Sequence, residues 1–199
     1  MSYRVLVIPE DPTYNGHILR PLVEALMTKA GKPNSRVTVL PDPHIRGVDQ
    51  AISSAPQIVR DSPMYDLFLL MVDRDARLGD GEDRLQRLRD AERQAMEYGR
   101  LLLGCAAIEE VEVWLMAGHP DKIERLGFNW GDIRQHDHPK EQYFDPFLAK
   151  YGSHGGHPEP GQGRKRLMRE GLVNLPGLLS RCDELVDLLR RIEEAVADE

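Results

Sequence analysis

Two acidic side chains follow an apolar run near the middle of the chain. Six consecutive apolar residues, Leu67 to Val72, lead directly to Asp73 and Asp75, with one residue between the two acids. A continuous apolar run of this length indicates a strand that is buried on both faces of a parallel sheet. Residues i and i+2 of an extended chain point to the same side, so we expect both carboxylates to project into one small volume. Two like charges that lie so close are unfavourable unless a cation or a proton joins them.

A further acid follows the first predicted strand. The short apolar segment from Arg4 to Ile8 is flanked by prolines, which end the strand and present Glu10 and Asp11 just beyond it. The carboxyl ends of parallel strands lie along one edge of a sheet, where α/β proteins bind their ligands. We therefore expect Glu10 to lie near Asp73 and Asp75.

An alternating segment from Glu110 to Met116 predicts the fourth strand. Val111, Val113 and Leu115 fall on one face, and Glu112 falls on the other. Glu112 is thus either an additional metal ligand or a plain exposed acid on a strand. Carboxylate oxygens at this density suit Mg²⁺ or Mn²⁺, and such a metal can polarise a phosphodiester or generate hydroxide.

Strands and helices alternate along the first two thirds of the chain, which predicts an α/β fold with a mostly parallel four-stranded sheet flanked by helices. We assign this core to residues 1–127 and a loop-rich helical extension, packed on the core, to residues 128–199. The predicted strands are 4–8, 36–40, 67–72 and 110–116, and the main helices of the core are 16–30, 48–60 and 84–100. In the extension, 151–163 is predicted as a long loop or lid and 178–196 as a helix.

Composition restricts the class of protein. The chain has 199 residues, of which 41% are hydrophobic and 30% charged, as is ordinary for a soluble globular protein. The net charge of −7 argues against a uniformly basic nucleic-acid-binding surface but is compatible with a local basic patch. The two cysteines suggest no disulfide framework, and no apolar run reaches membrane-spanning length. The first residues lead into a strand without the layout of a signal peptide, so we expect a cytoplasmic protein.

A compact basic run stands out in this acidic chain. Arg164, Lys165 and Arg166 are consecutive. They form either a solvated helix face or a strip that contacts the phosphates of a nucleic acid beside the acidic site. Lys140 or Lys165 could also place a positive charge near the scissile phosphate.

Histidines in the last third raise the question of zinc. The spacing of two pairs, H-x-H and H-x-x-H, allows a zinc site, but the glycine-rich segment between the pairs makes the geometry unspecific. Loop polarity is the preferred interpretation. The four residues are His136, His138, His154 and His157.

With a glutamate after the first strand and an Asp-x-Asp pair after the third, residues 4 to 117 resemble the Toprim fold. Topoisomerases, bacterial primases, small maturation nucleases and the overcoming-lysogenisation-defect nucleases share this fold. The last third of the chain is similar to the tails of small stand-alone Toprim-like proteins. Many Toprim domains have a glycine directly after the glutamate, where this chain has Asp11, so Asp11 is a possible additional ligand.

The resemblance implies a metal-dependent nuclease or related phosphodiesterase. Asp73 and Asp75 would hold Mg²⁺ or Mn²⁺, Glu10 would act as general acid/base or as a further ligand, and Glu112 would be a candidate for a second metal. Nucleic acid would be the substrate, a separate ATPase or defence-system protein a possible partner, and phage defence or plasmid maintenance the setting. Two alternatives stay open: an inactive Toprim-like scaffold, and a receiver-like phosphoacceptor domain. The longer separation between the first and third strands, with no fifth strand ending in lysine, argues against the receiver.

Overall fold

A four-stranded, entirely parallel sheet forms the centre of the protein. The computed structural model describes residues 2–41, 45, 47–74, 81–108, 110–153 and 160–197. The strands are β1 (Arg4–Pro9), β2 (Arg36–Val39), β3 (Leu67–Asp73) and β4 (Leu102–Ala107), in the spatial order β2-β1-β3-β4. The predicted α/β class and the four-stranded parallel sheet are confirmed.

Helices connect the strands and continue beyond the last of them. Those up to residue 124 are α1 (Gly16–Lys29), α2 (Val48–Asp61), α3 (Gly81–Glu97), α4 (Glu112–Ala117) and α5 (Pro120–Glu124). Those that follow are α6 (Trp130–Gln135), α7 (Asp145–Tyr151), α8 (Pro160–Gly171), α9 (Leu175–Leu179) and α10 (Asp183–Ala197). A π-helical turn, Lys140–Phe144, leads into α7, and a 3₁₀ turn, Leu172–Asn174, links α8 to α9. None of the described helices is long and apolar enough to cross a lipid bilayer.

The two faces of the sheet bury different layers of helices. Successive residues of β3 point to opposite faces: Leu69 packs among residues of α1, α4 and α10, whereas Leu70 packs among residues of α2 and α3. The central strand is buried along its whole apolar length, because helices cover both faces.

The position of the fourth strand was predicted wrongly. The segment 110–116 is not a strand; its larger part forms the short helix α4, whose residues are all buried, and Leu102–Ala107 forms β4 instead. Gly99 has a φ of 66° and follows the end of α3, which is the usual position of a glycine that ends a helix. The apolar residues after Gly99 therefore begin a new element and do not extend α3. These residues pair with β3 in parallel. An apolar strand suits this position because both faces of the sheet are buried.

Residues beyond 127 pack directly on the sheet layer that contains α1. Helix α8 lies against α1 and α4, and α10 lies against β4. Where α8 passes the end of α4, a Cβ built on Gly118 would lie 2.6 Å from the Cα of Gly171, so only glycine fits. The single helix predicted over 178–196 is divided into α9 and α10.

Candidate active site

The carboxylates of Glu10 and Asp73 lie side by side at the carboxyl edge of the sheet. β1 and β3 are adjacent, with Pro9 opposite Met71, so the residues that follow the two strands meet. The backbone N–H of Asp73 donates a hydrogen bond of 3.0 Å to Oε2 of Glu10. The structure thus brings together two of the residues that the sequence placed at this edge.

Asp73 is held in an environment that disfavours its charge. Val111 donates its backbone N–H to Oδ1 of Asp73 at 2.7 Å. Burial, followed by the negative charge of Glu10, raises the pKa of Asp73 well above its usual value, and Glu112 contributes in the same direction. The pair therefore has the property expected of a cation or proton site: it is unfavourable when both carboxylates are ionised and uncompensated. Asp75, the second acid of the Asp-x-Asp pair, lies outside the described residues.

Glu112 occupies this neighbourhood from a different element than the sequence predicted. It lies in the first turn of α4, not on a strand, and it is 2% exposed, so it is not a surface acid. Its Oε1 is 3.1 Å from Nη1 of Arg164 and 3.3 Å from Nζ of Lys140. The carboxylate is thus already neutralised by two cations from the C-terminal part of the chain.

Lys140 joins two acids at the start of α4: Glu110, just before the helix, and Glu112, in its first turn. Its Nζ contacts Glu112, and its backbone N–H donates a 2.7 Å hydrogen bond to Oε2 of Glu110. Burial and the nearby charge of Glu112 raise the pKa of Glu110 to about 7. The π-helical turn that begins at Lys140 is a local irregularity of the kind often found at functional sites.

Arg164 is the buried cation of the cluster. Its side chain is 6% exposed, and its guanidinium carbon lies 5.0 Å from the ring centroids of both Tyr14 and Phe144. Its Nε has no hydrogen-bond partner among the described residues. The aromatic contacts and the Glu112 carboxylate offset the burial of the charge.

The remaining residues of the basic run have different surroundings. All three lie on α8. Lys165 is partly exposed and lines a cavity beside α1. Arg166 bonds to Glu170 and to the backbone oxygen of Tyr151, so its guanidinium is used within the protein. The basic run is therefore not a uniform strip on the surface.

Among the described residues, the candidate metal ligands at this edge of the sheet are carboxylates. Asp11 accepts hydrogen bonds from the backbone N–H groups of Thr13 and Tyr14, which form the turn before α1. Within the described ranges, no group of three histidine, cysteine, aspartate or glutamate side chains is arranged to hold a metal ion. Two carboxylates, Glu10 and Asp73, do lie together, and hard oxygen donors of this type suit Mg²⁺ and Mn²⁺.

Sequence reasoning did not predict the roles of Glu110 and Tyr14. The alternating pattern places Glu110 at the start of a strand, and no motif marks Tyr14. A usable signal was the sequence Gly99 to Ala107, where a glycine precedes a run suited to a strand. That signal would have moved Glu110 and Glu112 off the sheet and into the loop and helix that follow β4.

Comparisons with known proteins identify no relative of this chain. The chain matches no protein-family model, and no curated protein or solved structure is significantly similar to it.

Proposed function

We propose that this protein is a divalent-metal-dependent phosphodiesterase that cleaves nucleic acid. The observation that carries the proposal is the contact between Glu10 and Asp73 at the carboxyl ends of two adjacent parallel strands. Two carboxylates in this position, one of them with a raised pKa, need a positive partner. Mg²⁺ or Mn²⁺ is the partner that fits oxygen donors and phosphate substrates.

In the proposed site, Glu10 and Asp73 hold the metal together with Asp75, the next acid in the sequence. When bound, such a metal polarises a phosphodiester and lowers the pKa of a water. In the alternative role, Glu10 is the general acid/base that transfers a proton to or from the reacting oxygens. The backbone N–H of Val111 keeps Asp73 oriented.

The C-terminal part of the chain supplies positive charge to the same place. Lys140 and Arg164 lie against Glu112, and the charge of Glu112 in turn contributes to the raised pKa of Asp73. Within the proposal, Glu112 serves to hold the two cations beside the acidic pair, where they can stabilise charge on a phosphate. Both cations contact Oε1 of Glu112, so a second metal bound to that oxygen would have to displace them.

Metal binding tests the proposal first. Unfolding would be measured in EDTA and in saturating Mg²⁺ or Mn²⁺ for the wild type, Glu10→Gln, Asp73→Asn and Asp75→Asn. Occupancy at a hundredfold excess over Kd stabilises a protein by about 2.7 kcal/mol, and we expect this gain in the wild type and its loss in the three variants. Two exposed acids offer matched controls, Glu97→Gln on α3 and Asp187→Asn on α10, which should keep the gain.

Cleavage tests the reaction. The same proteins would be incubated with plasmid, single-stranded DNA and RNA in each metal. We expect products with the wild type and the two controls, and none with the three site variants. Metal stabilisation without cleavage of any substrate would favour the inactive scaffold, and absence of both would overturn the proposal. Stabilisation by a phosphoryl mimic that depends on Asp73 would instead favour the receiver-like alternative.

A further inference from the structure

We propose that a cavity between α1, β2 and α8 is a binding site for a backbone phosphate of the nucleic-acid strand, distinct from the acidic pair. This inference rests on the proposed function, because it names where the substrate strand is held. The cavity has a volume of about 320 Å³. His17 and Arg20 of α1 and Lys165 of α8 contribute its basic side chains, and Thr38 of β2 contributes a hydroxyl.

The charge of the cavity is opposite to that of the protein. Three of its lining side chains are basic or can become so, and none of the described residues that line it is an aspartate or glutamate. The chain as a whole has a net charge of −7. An acid-free basic cavity on an acidic protein attracts anions locally while the remaining surface repels them.

The basic groups keep hydrogen-bonding capacity for a ligand. Arg20 contacts Glu24 through its Nε, and both side chains are largely exposed. No ion pair of Lys165 is found among the described residues, although it lies in the cavity wall. Burial, and then the positive charges of Lys165 and Arg164, lower the pKa of His17.

Close helix packing builds the cavity. A Cβ on Gly161 would lie 2.4 Å from Nε2 of His17, so α8 passes directly over the first turn of α1. This approach places Lys165 opposite His17 and Arg20. The cavity is thus lined by two packed helices and an edge strand.

Two residues of the cavity wall are close in sequence to residues around the acidic pair. Pro12, which lines it, lies two residues after Glu10 in the loop that leaves β1. Lys165 directly follows Arg164, which contacts Glu112. In this proposal, a strand whose scissile phosphate is at Glu10 and Asp73 places another of its phosphates in the cavity. Contacts of this kind position a nucleic acid without reading its sequence.

Binding measured without metal tests this site separately from cleavage. The affinity of the full-length protein for fluorescent single-stranded DNA and RNA oligonucleotides would be followed by anisotropy in EDTA over a series of salt concentrations. The variants are Lys165→Gln and Arg20→Gln. Matched controls are Lys29→Gln, at the opposite end of α1, and Arg169→Gln, an exposed residue of α8.

We expect each cavity variant to weaken binding of all sequences alike and to lower the slope of log K against log salt by about one, as the loss of one phosphate contact does. The controls should retain the wild-type slope. Inorganic phosphate and a nucleoside monophosphate would be added as competitors, and both should displace the oligonucleotide only weakly because they lack the remaining contacts of the strand.

Unchanged affinity and slope in both cavity variants would overturn the proposal, as would equal losses in the controls or no binding by the wild type at low salt. Displacement by inorganic phosphate at the concentration at which the oligonucleotide itself binds would also overturn it, since the cavity would then be a free-phosphate site. Failure of the proposed nuclease activity would give a different result. The wild type would then cleave nothing in the presence of metal, while the cavity variants would still bind nucleic acid more weakly than the wild type.

Discussion

The backbone N–H of Asp73 donates a 3.0 Å hydrogen bond to Oε2 of Glu10, which joins the ends of β3 and β1. The bond holds the Glu10 carboxylate against Asp73, which carries the second carboxylate. Burial, and then the negative charge of Glu10, raise the pKa of Asp73. Occupancy by a proton or a cation is therefore expected to govern the stability of this edge of the sheet.

The substitution Asp73→Asn is expected to flatten the pH dependence of stability in metal-free protein. The pKa of Asp73 in the folded state is raised above its usual value of 3.8. The folded state therefore retains the proton longer than the unfolded state. This contribution to stability is complete below pH 3.8 and is lost as the pH rises through the raised pKa.

Chemical denaturation in EDTA across this pH range checks the prediction. The wild type should lose up to about 1.4 kcal/mol per pH unit from this group, and Asp73→Asn should lose correspondingly less and be the more stable protein at neutral pH. Asn retains an oxygen that can accept the Val111 N–H. The control Asp187→Asn should follow the wild type; parallel profiles for all three proteins would contradict the prediction.

Glu110 is expected to produce a second pH-dependent term near neutrality. Its pKa is raised from 4.5 to about 7, chiefly by burial. Because the folded pKa is the higher one, the associated stability is present below pH 4.5 and disappears as the pH rises through about 7. Glu110→Gln should remove this loss, since the amide can still accept the Lys140 N–H.

The measurement is the free energy of unfolding of wild type and Glu110→Gln at pH 5 and pH 8 in EDTA. The difference between the two pH values should be smaller in the variant. Glu97→Gln, which replaces an exposed glutamate, should leave the difference as it is in the wild type. A variant that loses as much stability as the wild type would argue against a role for Glu110.

Arg134→Ala is expected to be strongly destabilising. Arg134 donates two hydrogen bonds, of 2.9 and 3.0 Å, to the carboxylate of Glu184, and the two side chains are only 15% and 11% exposed. Glu184 also accepts the indole N–H of Trp114. Removal of the arginine leaves a buried carboxylate without its cation, at a cost of about 3–5 kcal/mol.

Arg190→Ala is the comparison for this ion pair. Arg190 contacts Asp187 and Glu194 on the surface of α10, and its side chain is 57% exposed. Exposed pairs of this kind contribute little to stability. Urea unfolding of both variants should separate them clearly; equal losses would show that burial does not decide the strength of the Arg134–Glu184 pair.

Gly118→Ala is expected to disturb the packing of α8 against the end of α4. The added methyl would lie 2.6 Å from the backbone of Gly171, which cannot rotate away as a side chain can. Overpacking of this kind costs about 1–3 kcal/mol. Gly16→Ala is the control, because its Cβ would meet Val39 at an ordinary 3.4 Å. Thermal unfolding should show a lower Tm for Gly118→Ala and a Tm equal to or above that of the wild type for Gly16→Ala.

The local sequence was sufficient to predict β1 and β3 and the positions of Glu10 and Asp73 at their carboxyl ends. A strand buried on both faces needs an uninterrupted apolar run, and Leu67 to Val72 has no other simple interpretation. Parallel topology then brings Glu10 and Asp73 to one edge, because the carboxyl ends of parallel strands coincide. These two positions followed from patterns within a few residues of each acid.

Only the tertiary structure decided which segment completes the sheet and what surrounds Glu112. The alternation around Glu112 satisfied a strand pattern, but the short helix α4 is buried on every side, so periodicity could not distinguish the two. The partners of Glu112 come from positions 140 and 164, and the basic cavity is formed by α1, β2 and α8. Contacts between residues so far apart depend on how the helices pack, and nothing in the local sequence specifies that packing.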